Sequence, residues 1–141
     1  MRIMLGVALG LAVATTSGCS KGPPEGTSPM NSPTGIEWQL VSIGGTPAGT
    51  GGNGQAATLL LDEMSGRASG YAGCNTFSGS YLLSGESLTF GPLAMTRMAC
   101  GKGSELESRY TMALEQITEW KLTSKGLELR KGATLLAKFT R

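Results

Sequence analysis

The sequence predicts an α+β domain, a mostly antiparallel β-sheet or partial barrel with a single α-helix. Three observations predict it. Short runs of alternating apolar and polar residues recur along the chain, separated by Gly-rich turns. Only one stretch, residues 105–117, repeats its apolar residues at helical spacing. The stretch after that helix, from Glu119 to Thr140, reads as a meander of three strands joined by "SKG" and "RKG" turns.

Residues 1–18 lie outside that domain. Met1-Arg2 begins with positive charge, Ile3 to Val13 is an uncharged apolar run, and "ATTSG" is small and polar. This is the order of an export signal, and the run is shorter than the roughly 20 apolar residues that cross a bilayer. Thr16 to Cys19, "TSGC", resembles the lipobox of bacterial lipoproteins, although Thr16 stands where an aliphatic residue is usual. In such signals the cysteine is lipidated and opens the mature chain. Lipidation of Cys19 also accounts for an odd count of 3 cysteines and leaves Cys74 and Cys100 as a pair. Ser20 follows the cysteine where Asp favours inner-membrane retention. The expected place is therefore the envelope, anchored by lipid in the outer membrane and facing the periplasm.

Residues 19–35 form the next segment. Positions 20–35 hold four of the six prolines, with Ser, Gly and Thr between them, a tether composition that buries no core. The folded domain is expected over 36–141.

Within it, Glu37 to Ile43 alternates and places Trp38 and Leu40 on one side. "GGTPAGTGGNGQ", residues 44–55, lacks the Gly-Lys-Ser/Thr ending of a phosphate cradle and reads as a mobile loop. Residues 57–61 and 67–71 form a hairpin across "DEMSG". Phe77, Gly79, Tyr81 and Leu83 fall at period two, Gly79 marking a bend or close backbone approach. Leu88 and Phe90 continue the alternation until Gly91-Pro92, which is expected to stop the strand. Ser104-Glu105-Leu106-Glu107 has the Ser-x-x-Glu form of a capping box. From there Leu106, Tyr110, Ala113, Leu114 and Ile117 make one stripe facing the sheet.

Composition limits the chemistry. There is no histidine, which excludes Cys-His and Ser-His-Asp catalysis and His-ligated zinc. Two distant cysteines do not make a zinc site. Met95, Met98 and Cys100 have donors that suit Cu(I), but methionine more often fills core gaps. No cofactor or metal is expected. With 12 Lys+Arg against 10 Asp+Glu the chain lacks the basic footprint of a nucleic-acid binder. In an exported chain the remaining pair, Cys74 and Cys100, reads as a disulfide. Closing that loop of 26 residues contributes about 3.5 kcal/mol in the chain-entropy picture.

The segments "EWQLVSIGG" (37–45), "GRASGYAGCNTFSGSY" (66–81) and "LTFGPLAMTRMAC" (88–100), followed by the helix and the late Leu-rich hairpin, together resemble the META domain. This is the domain of the heat-shock protein HslJ and related bacterial lipoproteins. The resemblance covers nearly all of 36–141. It implies a strongly bent antiparallel sheet with one helix, no established enzymatic activity, and roles linked to envelope stress, antibiotic tolerance, motility or secretion. The motif residues themselves read as structural: Gly73 for its backbone angle and Asn75 for a turn. The functional alternative is that Asn75, Thr96 and Arg97 line a polar recognition patch beside the disulfide. Three functions remain in order: binding or supporting an envelope protein partner, carrying a small apolar ligand, and hydrolysis.

Overall fold

Alternation of apolar and polar residues sets the buried face of most strands, as over Glu37–Ile43, Thr76–Ser84 and Gly126–Lys131. In the computed structural model, which describes Gly18 and residues 31–141, ten elements follow one another. They are β1 (Glu37–Ile43), β2 (Thr46–Pro47), β3 (Thr58–Asp62), β4 (Arg67–Tyr71), β5 (Thr76–Ser84), β6 (Ser87–Met95), α1 (Ser104–Gln116), β7 (Glu119–Thr123), β8 (Gly126–Lys131) and β9 (Thr134–Thr140). The export signal, Cys19 and the tether as far as residue 30 lie outside the described residues.

The strands make one strongly curved antiparallel sheet of 9 strands in the order β2-β1-β3-β4-β5-β6-β7-β8-β9, with α1 as the single helix among the described residues. The curvature brings the far side of the sheet back to β1, which pairs with β3 through Trp38↔Leu59 and with β9 through Leu40↔Phe139. Most neighbouring strands are joined by short turns, but β3 reaches β1 only after β2 and residues 48–57, and a longer connection also separates β6 and β7. These are separated in sequence by α1 and meet only at Ser87↔Glu119.

The concave face gathers the alternate apolar residues: Trp38, Leu59, Leu61, Phe77, Leu88, Leu127, Leu129 and Phe139, all nearly inaccessible. The predicted helical stripe closes over them. Leu106, Tyr110, Ala113 and Leu114 are buried, and Ile117 is buried just past the helix end. Tyr110 is the central peg. Its ring meets Phe77 edge-on at 5.7 Å and Phe139 at 6.1 Å. A phenol so deeply buried needs a hydrogen-bond partner, and its hydroxyl donates to the Thr58 carbonyl at 3.0 Å.

Four sequence expectations need correction. Packing reaches back to Pro33, inside the segment read as tether. Pro33 and Thr34 are buried, Gly35 N–H donates to the Leu61 carbonyl at 2.9 Å, and Trp38 Nε1 donates to the Pro33 carbonyl at 2.8 Å. A buried indole N–H must find an acceptor, and the end of the tether supplies it. Gly91-Pro92 does not stop β6, which runs through to Met95. Two residues there oppose one on β5, a bulge between the pairs Gly79↔Leu93 and Tyr81↔Phe90. A bulge tolerates the missing proline N–H, and β6 has no partner strand beyond Ser87 on its other edge. Residues 44–55 are held rather than mobile. β2 folds back on Ser42 and Ile43, and Gly52 N–H donates to the Gly73 carbonyl at 2.7 Å. The fourth correction, the helix cap, belongs to the site described below.

Burial raises the Tyr110 pKa well above the ordinary phenol value. The unfolded chain therefore ionises first as pH rises, and stability complete below about pH 10 is lost above it, at up to about 1.4 kcal/mol per pH unit for one group. Tyr81 shifts the same way through burial, with Glu63 and Asp62 adding to it. Chemical denaturation of Tyr110→Phe at pH 7 is expected to show a loss of about 1 kcal/mol for the missing hydrogen bond, with a shallower alkaline decline than the parent. Identical alkaline slopes for parent and variant would show that this burial does not govern the pH response.

Candidate functional site

The family-like motif residues converge at one end of the sheet, where β4 turns into β5 and where β6 runs into α1. A disulfide joins Cys74 in the first connection to Cys100 in the second, with Cα atoms 5.8 Å apart. Cys74 is buried and Cys100 is half-buried.

Asn75 is the hub of this end and is only 4% exposed. Its Oδ1 accepts from the Met98 N–H at 2.7 Å and from the Thr96 hydroxyl at 3.2 Å. Its Nδ2 donates to Glu107 Oε1 at 3.1 Å and to the Met98 carbonyl at 3.3 Å. Its own backbone N–H donates to Glu107 Oε2 at 2.6 Å. One carboxamide thus ties the β4–β5 turn, the β6–α1 connection and the helix together. Thr96 is exposed, and its hydroxyl also accepts from the Thr76 N–H at 3.1 Å.

The helix start differs from the capping box expected at Ser104. Gly103 is the N-cap, at φ 94°, and no side chain caps it. Ser104 is already helical, and its hydroxyl donates back to the Cys100 carbonyl. Glu107 does not reach back to Ser104; its carboxylate crosses to Asn75, a residue 32 positions away. The physical reason is packing. Gly103 and Gly73, both at positive φ, lie so close that a Cβ on Gly103 would overlap the Gly73 carbonyl. Only glycine combines that angle with that approach. The helix therefore begins at Ser104 and points Glu107 at the turn.

Of the three residues proposed for a polar patch, Asn75 and Thr96 are brought together, with Asn75 inside. Arg97 is exposed, and among the described residues it joins no salt bridge, those present being Arg130–Glu128 and Lys138–Glu128. Met98, which the sequence reading weighed only as core filler or copper ligand, has its main chain clamped by Asn75 while its side chain is 64% exposed. Two surface grooves flank it. One, about 670 Å³, lies between the end of β6 and α1 and is lined by Leu93, Met95, Arg97 and Glu107 among others. The other, about 600 Å³, lies beside the disulfide and is lined by Asn53, Tyr71, Cys74, Cys100 and Lys102 among others. No cluster of three or more His, Cys, Asp or Glu suited to a metal occurs among the described residues.

The META domain family model matches residues 31–141, and the chain belongs to the META domain family. Two solved structures are similar. A protein from Burkholderia xenovorans, determined by NMR, is 32% identical over 76% of this chain and 83% of its own, with a TM-score of 0.57. A second protein determined by NMR is 30% identical over 73% of this chain and 86% of its own, with a TM-score of 0.55. A comparison with curated proteins finds no match.

The Asn75–Glu107 bridge sets a quantitative expectation. Asn75→Ala leaves the Met98 amide and the Glu107 carboxylate without their partner and is expected to cost about 2–4 kcal/mol. In a double-mutant cycle with Glu107→Ala, measured by urea unfolding, the two sites should be coupled by about 1 kcal/mol or more. Additive effects would mean that the bridge is a passive contact.

Proposed function

We propose that this protein is a lipid-anchored component of the bacterial envelope whose META domain binds or supports another envelope protein without catalysis of its own. The reading includes a role in stress response, antibiotic tolerance or secretion, which the family resemblance suggests. The observation that carries the reading is where the surface is irregular. The interior of the curved sheet is filled by Trp38, Tyr110 and the leucines around them. The exposed Met98 and its two grooves stand together at the disulfide end. A packed interior with a shaped, partly apolar surface suits partner binding. Anchoring rests on the "TSGC" pattern at Cys19 and on the apolar run before it.

A second reading has one observation in its favour. The groove beside the disulfide has the volume of a small-molecule site, so carriage of a small apolar ligand is the alternative. It is open to the surface rather than enclosed by the sheet, which favours the first reading.

Both parts are testable in cells. A fatty-acid probe should label the parent chain and not Cys19→Ala; an unlabelled parent refutes anchoring. A photo-crosslinking residue at position 98 should yield a covalent adduct with an envelope protein. Recovery of an extractable lipid in place of any protein adduct would overturn partner binding in favour of carriage.

A further inference from the structure

The connection from β6 to α1 carries an inference that rests on partner binding and makes it specific. Residues 96–103 contain no helix or strand, yet they are pinned along their length. Thr96 and Met98 are bonded to Asn75, Cys100 to Cys74, and Ser104 holds the Cys100 carbonyl. A loop so fixed loses little freedom on binding. What it presents outward is chemically definite. Arg97 and Lys102 are exposed cations, and the exposed Met98 lines one groove with Arg97 and the other with Lys102. Neither cation forms a salt bridge among the described residues. The groove beside the disulfide has no acidic side chain in its lining. The acidic groups nearby are Glu105, in the first turn of α1, and Glu107, whose two oxygens are taken by Asn75. This end also lies away from the point where the N-terminal segment joins the domain. Gly35 bonds Leu61 at one end of the β3–β4 hairpin, while Thr58, Tyr71 and Gly73 mark the other.

We propose that the 96–102 loop is a docking surface for an acidic peptide segment of a partner protein, with an apolar side chain placed against Met98. Carboxylates of the segment pair with Arg97 and Lys102, Arg being the side chain suited to forked carboxylate contacts. The flexible thioether adapts to the apolar residue between them. The two cations set sign and register, and the methionine with its grooves supplies the apolar contact.

The test pans a random-sequence peptide library against the purified full chain, and separately against Arg97→Glu/Lys102→Glu and Met98→Ala. Matching melting curves establish that the variants remain folded. Selected peptides are expected to be rich in Asp and Glu with a large apolar residue among them. They should perturb the amide signals of residues 96–102, and should bind the charge-reversed variant at least about tenfold more weakly and Met98→Ala more weakly than the parent. Absence of enrichment, selection of neutral or basic peptides, signal changes confined elsewhere, or binding unchanged by charge reversal would overturn the proposal. These outcomes are independent of whether Cys19 is lipidated or what position 98 crosslinks in cells.

Discussion

A buried carboxamide organises the disulfide end of this domain. Asn75 has donors and an acceptor facing three chain segments at once, and each of those segments needs it. Met98 lies in a stretch with no helix or strand to take its main-chain N–H and carbonyl; Asn75 takes both. Glu107 sits on the first turns of α1, where a carboxylate favours the positive end of the helix, but its oxygens are directed at Asn75 rather than at the helix cap. A buried polar network of this kind is favourable only when its members are satisfied, and no buried side-chain nitrogen or oxygen among the described residues lacks a partner.

The rest of the architecture makes that network possible. Curvature of the sheet brings β1 against both β3 and β9 and creates the concavity that α1 fills. Tyr110 fixes the height and rotation of the helix by wedging between Phe77 and Phe139. With Tyr110 seated, Leu106 and Glu107 lie one turn earlier on the same helix, and Glu107 arrives at the turn. The glycines at 73 and 103 let the two connections touch, and the disulfide closes them covalently. Packing of the core and placement of the loop are therefore one problem solved by one helix.

This division explains what the sequence made legible. Strand faces followed from period two where polar residues separate the apolar ones, as at Trp38 and Leu40 and at Leu127 and Leu129, whereas the continuous run Leu59-Leu60-Leu61 read only as a strand and its inward face is set by pairing. The helix followed from the stripe of Leu106 to Ile117. What local patterns missed was settled by contacts distant in sequence. Ser104 and Glu107 fit a capping box by spacing, but the better acceptor geometry for Glu107 lay at Asn75. Pro92 reads as a strand end until the bulge opposite Ser80 is known. Pro33 reads as linker until the Trp38 indole claims its carbonyl. Burial of Asn75 and exposure of Met98 invert what their residue types suggest, and only the meeting of two connections explains the inversion. The spacing of "GCN" and "TRMAC" was the available signal that these segments meet.

Native-state hydrogen exchange at the Met98 amide is the measurement closest to the central claim, because that N–H is held by a side chain and by no secondary structure. With the disulfide intact, the amide should be strongly protected in the parent chain. In Asn75→Ala it should exchange at least about a hundredfold faster than in the parent, by local opening, while exchange at the Leu59 and Leu129 amides should accelerate only as far as the loss of global stability dictates. A Met98 amide that exchanges freely in the parent, or one whose protection survives Asn75→Ala, would contradict the role assigned to Asn75.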